Sequence, residues 1–448
     1  MSYQGYGQPY GRLRAISPSP GTISTTTAGT IPPQHGQYPP SARRLRPIPP
    51  QQGGGYYQQP PPPPPGQYPP QQPPYGQPPP GQYGAPAPHQ PYGHHSPAPP
   101  PGQYGAPPPQ ASPYGGAPPY GAPQVPPTPP SLGYGPPQLI QWDGSADAQA
   151  LRSAMKGFGT DEKTLIRVLG NKDPLQIEVL RTTFERNFKR KLVDDLKKET
   201  SGYFEMGLVQ IARGPLQADV HNLYEAISGL GTKEVVLNDI LLSRSNADIK
   251  AIKSAYYHTY RRSLEEDVKG DLSMKTERHF MMVLAATRAE DSAPVVPQQV
   301  EDDVMNIYKA TEGKMGTDEI LVCSILSSRN DNQIRAISHS YKRKFNRDLE
   351  SVLKSEFSGH MEDALLFQLR NAEDKYMHAA KLLEDTMAGL GTKDYLLVAR
   401  VVRFHWNRAD LANIKGAYHH RYRKTLASRI RGETSGDYER LMVACVGE

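Results

Sequence analysis

The chain has 448 residues, with 51 Lys and Arg against 45 Asp and Glu, a formal net charge of +6 at pH 7, and two cysteines, Cys323 and Cys445. Two cysteines exclude a disulfide framework and suit a reducing compartment. No basic-then-apolar leader opens the chain and no apolar run reaches about 18 residues, so any membrane contact is expected to be peripheral.

Composition divides the chain near residue 137. Of 47 prolines, 43 lie in residues 1–137, and only Pro174, Pro215, Pro294 and Pro297 lie beyond. The same stretch carries Arg12, Arg14, Arg43, Arg44 and Arg46 with no Asp, Glu or Lys, so it holds +5 of the net charge and leaves the other 311 residues at +1. The high pI therefore marks no nucleic-acid face on the folded part, and no nucleic-acid partner is expected. Units such as Gly81-Gln82-Tyr83-Gly84-Ala85-Pro86 recur as Gly102-Gln103-Tyr104-Gly105-Ala106-Pro107, and fourteen tyrosines are spaced through the stretch. Aliphatic residues are too sparse to offset the entropy of ordering, so a disordered tail is expected over residues 1–137. Its composition fits a flexible spacer and equally a multivalent segment whose tyrosines and arginines contact other copies or partners.

From Ala146 the pattern becomes helical. Leu151, Ala154 and Met155 share one face; Leu165, Ile166, Val168 and Leu169 continue the apolar stripe beyond a glycine-bearing loop. Pro174 suits the first turn of a helix, and Ile177, Leu180, Phe184 and Phe188 follow at helical spacing. About five helices fit before the pattern restarts at Asp219. The loop Met155-Lys156-Gly157-Phe158-Gly159-Thr160-Asp161-Glu162 recurs as Ile227-Ser228-Gly229-Leu230-Gly231-Thr232 and as Met387-Ala388-Gly389-Leu390-Gly391-Thr392. A damaged copy, Glu312-Gly313-Lys314-Met315-Gly316-Thr317, lies between these two. Successive second glycines are 72, 85 and 75 residues apart, and the longest step contains the proline-bearing stretch 288–300. These lengths predict an all-α chain of four five-helix repeats, at 143–213, 214–287, 301–373 and 374–448, with 288–300 as a linker between two pairs.

A carboxylate stands at a fixed distance beyond each loop. Gly159 to Glu199, Gly231 to Asp271 and Gly316 to Glu356 are each 40 residues, whereas Gly391 to Glu433 is 42. Glycines let the backbone turn several carbonyl oxygens outward. Such carbonyls with one carboxylate make an all-oxygen cage, which suits a hard cation and, in its loose geometry, calcium better than magnesium. A single glycine-rich turn would be an ordinary helix cap; four with the acid in register argue for metal sites. The tips Phe158, Leu230, Met315 and Leu390 are all apolar, which suggests shallow insertion between lipid headgroups, with packing against a neighbouring loop as the alternative.

These features resemble the annexin family across residues 143–448. The likeness includes the acid followed by a Ser-Gly turn in Glu199-Thr200-Ser201-Gly202 and Glu433-Thr434-Ser435-Gly436, and the closing Leu441-Met442-Val443-Ala444-Cys445-Val446-Gly447-Glu448. The Gly/Tyr/Pro/Gln tail is similar to those of long-tailed members, fungal ones among them. The resemblance implies a curved disc of four repeats, with calcium in the loops bridging to the phosphates of acidic phospholipids. It implies a first site from the carbonyls of Met155, Gly157 and Gly159 with Glu199, beside an auxiliary site at Thr160 and Glu162. A second site takes Ile227, Gly229, Gly231 and Asp271. The third matches in part, with Lys314 in place of the first glycine and Gly316 and Glu356 kept. The fourth takes Met387, Gly389, Gly391 and Glu433, provided that its two extra residues, expected near Arg403 to Arg408, bulge locally. If they shift the register instead, Arg431 meets the loop and cannot ligate a cation.

Rival chemistries lack their residues. No Gly-Lys-Ser/Thr follows the loops and no Asp-x-Asp-x-Asp-Gly run occurs, which argues against nucleotide loops and EF-hands. His94-His95 and His419-His420 have no Cys or spaced acidic company for a transition metal. Cys323 sits in an apolar run and reads as core. No nucleophile with a base and an orienting partner can be assembled, so a non-enzyme is expected. Asp219, Asp239 and Arg244 match polar positions of the family's central channel, for which a buried ion-pair network is the simpler role. The resulting expectation is a cytoplasmic protein that binds acidic membranes reversibly with calcium, its tail serving self-association or partner recruitment. The alternative is a condensate-forming scaffold whose core is a structural adaptor.

Overall fold

The computed structural model describes residues 125–448 apart from Leu230, Ser243, Ser273 and Lys314. The expectations for residues 1–124 lie outside these described residues.

All regular structure among the described residues is helical. The first repeat holds α1 (Ser145–Ala154), α2 (Glu162–Leu169), α3 (Pro174–Phe188), α4 (Leu192–Glu199) and the first half of α5 (Gly202–Ile227). Helix α5 is two helices joined at Gly214, whose φ of 75° and ψ of 169° break the helical path just before Pro215. Proline has no N–H to lose at a first helical turn, so the kink ends one repeat and opens the next. The second repeat continues with α6 (Glu234–Leu241), α7 (Asn246–Tyr260), α8 (Leu264–Asp271) and α9 (Met274–Leu284). The third contains α10 (Pro297–Ala310), α11 (Glu319–Ser328), α12 (Asp331–Phe345), α13 (Leu349–Glu356) and α14 (Gly359–Glu373). The fourth contains α15 (Lys375–Met387), α16 (Asp394–His405), α17 (Arg408–Tyr422), α18 (Leu426–Glu433) and α19 (Gly436–Cys445).

Local chemistry explains several boundaries. Asp173 caps α3 reciprocally with Gln176, and Asn330 caps α12 in the same way with Gln333. Helices α3, α7, α12 and α17 all end on a left-handed residue that is not glycine: Lys189, Arg261, Asn346 and Arg423, at φ 53–57°. The same uncommon backbone state at four equivalent places shows the repeat in conformation as well as in sequence.

Apolar burial ties the repeats together. One core cluster joins Leu151, Leu165 and Phe184 of the first repeat to Leu397, Tyr418 and Met442 of the fourth. A second is centred on the second repeat and includes Ala364 and Phe367 of α14. A third fills the third repeat around Val322, Ile337 and Leu365. The first and last repeats thus share a core, although Phe184 and Leu397 are 213 residues apart in the sequence.

Packing reaches further back than composition indicated. Residues 125–137, assigned by their prolines to the tail, are docked on the second repeat and on the stretch 288–300 that follows it. Tyr134 is 5% exposed and its hydroxyl donates to Asp219 Oδ2 at 2.5 Å. Ser131 donates from its backbone N and from Oγ to Asp248, at 2.7 and 2.6 Å, and the Thr128 N–H donates to Glu290 Oε2 at 2.7 Å. Gly133 has φ +84°, and a Cβ there would lie 2.6 Å from Pro215 Cγ. Side-chain hydrogen bonds hold this segment where apolar periodicity is lacking, so a reading based on composition passes over it.

Candidate metal centres

Each glycine loop joins the first helix of a repeat to the second and is closed by one backbone hydrogen bond. These run from Asp161 N to Ala154 O (2.9 Å), Lys233 N to Ala226 O (3.0 Å), Asp318 N to Ala310 O (2.7 Å) and Lys393 N to Thr386 O (2.8 Å). The bond spans seven residues in the first, second and fourth loops and eight in the third. The third loop therefore differs by carrying one residue more, with Gly313 still present. Lys314, read from sequence as replacing the first glycine, lies outside the described residues. The last glycine of every loop is left-handed, with φ of 78° at Gly159, 79° at Gly231, 86° at Gly316 and 83° at Gly391. Nothing lies within 4 Å of an added Cβ at any of them, so it is the backbone angle that calls for glycine.

The loop threonine meets the carboxylate residue in all four repeats. Thr160 Oγ1 donates to the backbone oxygen of Glu199 at 3.1 Å, leaving the exposed Glu199 carboxylate beside it. Thr232 Oγ1 lies 2.5 Å from Asp271 Oδ2, Thr317 Oγ1 2.6 Å from Glu356 Oε2, and Thr392 Oγ1 3.0 Å from Glu433 Oε2. Each carboxylate stands on the last residue of an eight-residue helix: α4, α8, α13 and α18. Glu162 and Glu199 line one cleft of about 400 Å³, to which α19 adds Asp437 and Tyr438. Among the described residues no group of three or more His, Cys, Asp or Glu could hold a metal ion. A cation in these loops would rest on backbone carbonyls and one principal carboxylate, which is an oxygen set for a hard ion.

The fourth site departs from this pattern. The start of the second helix and the start of the third are 12 residues apart in the first three repeats and 14 in the fourth. The two extra residues lengthen α16 to 12 residues, against 10 in α11, which is followed by an equally short connection, so a longer helix takes the place of the expected bulge. His405 packs the extension down, its ring nitrogens each 3.1 Å from the carbonyls of Cys445 and Lys172. Glu433, and not Arg431, meets the loop. Its carboxylate, however, also accepts a hydrogen bond from Arg429, whose guanidinium donates in addition to the carbonyl of Met387. Two of the oxygens expected to hold the cation are bonded to a guanidinium, so the residues here do not fit calcium as those of the other loops do. Arg429 was not singled out by sequence; the available signal was a basic residue one helical turn before the carboxylate.

The loop tips stand clear of the fold. Phe158, Met315 and Leu390 have relative exposures of 112%, 103% and 109%, so none packs against a neighbouring loop. Leu230 lies outside the described residues. No helix among the described residues is long and apolar enough to cross a membrane. Elsewhere a polar cleft of about 700 Å³ contains Asp219, Asp239 and Arg244. Arg244 pairs with Asp219, and Arg400 of α16 donates to both oxygens of Asp239 at 2.7 and 3.1 Å. Tyr134 lies under the Arg244 guanidinium at 4.5 Å, and burial holds its phenol well above the usual pKa. The cleft is thus crossed by ion pairs and lined in part by the docked segment.

The family model described as annexin matches residues 146–211, 218–283, 302–367 and 378–445. Annexin C1 of the fungus Cryptococcus neoformans var. grubii is 43% identical over 312 residues, covering 69% of this chain and 66% of that one. Human annexin A7 is 38% identical over 307 residues, covering 68% of this chain and 62% of its own. A third or more of each of those relatives thus lies outside the match. A solved structure titled calcium-bound annexin (Sm)1 superposes with a TM-score of 0.60 at 30% identity, over 68% of this chain and 90% of that one.

Proposed function

The chain belongs to the annexin family, and from that premise we propose that it attaches peripherally and reversibly to acidic phospholipid membranes when calcium is present. Members of the family bind membranes in a calcium-dependent way and are not enzymes; this chain is not an enzyme. The observation that carries the proposal is the junction of left-handed glycine, loop threonine and helix-end carboxylate, beside an exposed apolar tip. Bound calcium would supply positive charge able to coordinate lipid phosphate oxygens as well as protein oxygens. Met155, Gly157, Gly159 and Glu199, with Thr160 and Glu162 alongside, would hold it in the first repeat. Ile227, Gly229, Gly231 and Asp271 would do so in the second. The longer third loop, with Gly316 and Glu356, is a weaker site.

The chain's own groups then have separate roles. Loop threonines steady the helix ends that carry the acids; Phe158, Met315 and Leu390 enter the headgroup layer; and engagement of several loops by one membrane raises avidity. Residues 1–124 serve self-association or partner recruitment, since their tyrosine and arginine content suits many weak contacts. The protein would act in the cytoplasm. Sedimentation with phosphatidylserine vesicles tests this reading, with and without calcium and with and without residues 1–124. Calcium-dependent sedimentation should survive the deletion while clustering of vesicles falls. Loss of calcium-dependent binding in the shortened chain, or binding indifferent to calcium in both, would overturn it.

A further inference from the structure

We propose that Arg429 is the resident cation of the fourth loop: its guanidinium stands where calcium would stand, and closes that loop to the ion. The inference rests on the calcium reading of the other loops and departs from it at this one. Arg429 Nη2 donates to the Met387 carbonyl, Nη1 to Glu433 Oε1, and Nε to Glu384 Oε2 at 3.3 Å. The second oxygen of Glu433 accepts from Thr392 at 3.0 Å. The first carbonyl of the expected cage and both oxygens of its carboxylate are therefore engaged before any metal arrives.

Charge makes the exchange unfavourable. A calcium ion needs six to eight oxygens, and here it would have to expel a cation that bridges two carboxylates. Arg429 is 20% exposed, Glu384 18% and Glu433 23%, so water screens the group only in part. Glu384 of α15 and Glu433 of α18 both reach the guanidinium, so two carboxylates hold it in place. A planar fork that satisfies a carbonyl and a carboxylate together is also something a hydrated point charge does poorly.

The other repeats show that this is a local departure. Four residues before the carboxylate stand Asp195, Asp267 and Val352 in the first three repeats, and Arg429 in the fourth. Asp195 is bonded by Arg190, and Asp267 by Arg262 and by the Tyr256 hydroxyl at 2.8 Å. In the fourth repeat the polarity is reversed. The equivalent tyrosine, Tyr418, donates to Glu384 on α15, and the basic group comes from α18. Spacing of four along a helix places Arg429 directly under Glu433. The fourth loop therefore keeps its shape, with Leu390 fully exposed, by means of a cation built into the chain.

The test counts calcium bound per full-length chain, by flow dialysis in the presence of phosphatidylserine–phosphatidylcholine vesicles. Arg429→Met removes the charge while keeping an unbranched stem, and should bind one calcium more per chain than the parent. Adding Glu433→Gln to that variant should abolish the gain, whereas Glu433→Gln alone should leave the parent's count unchanged. An Arg429→Met chain that keeps the parent's helical circular dichroism but gains no ion would overturn the proposal. So would a parent chain that loses one ion on Glu433→Gln, and this arm decides the matter if Arg429→Met fails to fold. A parent that takes up no calcium with vesicles would defeat the broader calcium reading. A parent that takes it up and loses one ion on Glu433→Gln defeats only the inference about Arg429.

Discussion

Replacing Phe158 by Ser separates membrane contact from folding, because the ring touches nothing that the free protein needs. Its relative exposure of 112% means that no packing is lost when it is removed. Full burial of a phenylalanine side chain contributes about 1.5–3 kcal/mol, so insertion to half depth contributes about 1 kcal/mol. That corresponds to roughly a fivefold loss of vesicle affinity at limiting calcium. The remaining exposed tips, Met315 and Leu390, keep some binding in place. Sedimentation across a lipid titration, at a calcium level giving half-maximal binding of the parent, measures the loss. Thermal melts in chelator provide the control and should superimpose. Equal affinity of the two chains would show that the ring does not enter the lipid, and a melt lowered by several degrees would show that it packs on the fold after all.

Two further outcomes follow from other parts of the structure. Glu199→Ala and Asp271→Ala should each raise the calcium required for half-maximal vesicle binding, with the double change raising it further, whereas Glu356→Ala should do less; a silent Glu199→Ala beside a damaging Glu356→Ala would refute this ranking. Calcium-free stability should fall between pH 6.5 and 4. Burial, and to a lesser degree the charge of His360, lowers the pKa of His279 to about 4. Since the folded value lies below the unfolded one, the stabilisation is present above about pH 6.5 and is lost as pH falls toward 4. Linkage gives about 2 kcal/mol from this residue at pH 5. Denaturant titrations of parent and His279→Leu at pH 7.5 and 5 check this, and an identical pH slope for both chains would count against it.

Much of the fold was legible because its signal is periodic and repeated. Apolar spacing gave helices, glycine loops marked where one helix turned into the next, and the steps between loops separated four units. The docked segment at 125–137 was not legible for a physical reason. Its stability comes from Tyr134, Ser131 and Thr128 bonding to Asp219, Asp248 and Glu290, which are 85 or more residues away. A proline-rich composition carries no trace of partners so distant. The expected bulge near Arg403 failed differently. Sequence located the two extra residues, but a helix can absorb added residues by running on when its end is packed down, as it is here where the His405 ring lies against the carbonyls of Lys172 and Cys445.

The candidate sites divide along the same line between local and non-local information. Loop and carboxylate could be paired from a constant interval, because the helices between them start at the same spacing in the first three repeats. Interval alone cannot report what fills the space between them. At the fourth loop the altered spacing of 42 drew suspicion to Glu433, although Glu433 arrives in place through the longer α16. The departure that matters lies at Arg429, in a helix of ordinary length, where one basic side chain sets a positive charge against the Met387 carbonyl. A carbonyl cage selects for positive charge and hydrogen-bond donors as readily as for a metal ion. Glycine spacing thus marks a candidate cation site, and on the reading proposed above the residue one turn before the acid helps decide whether the cation comes from solution or from the chain itself.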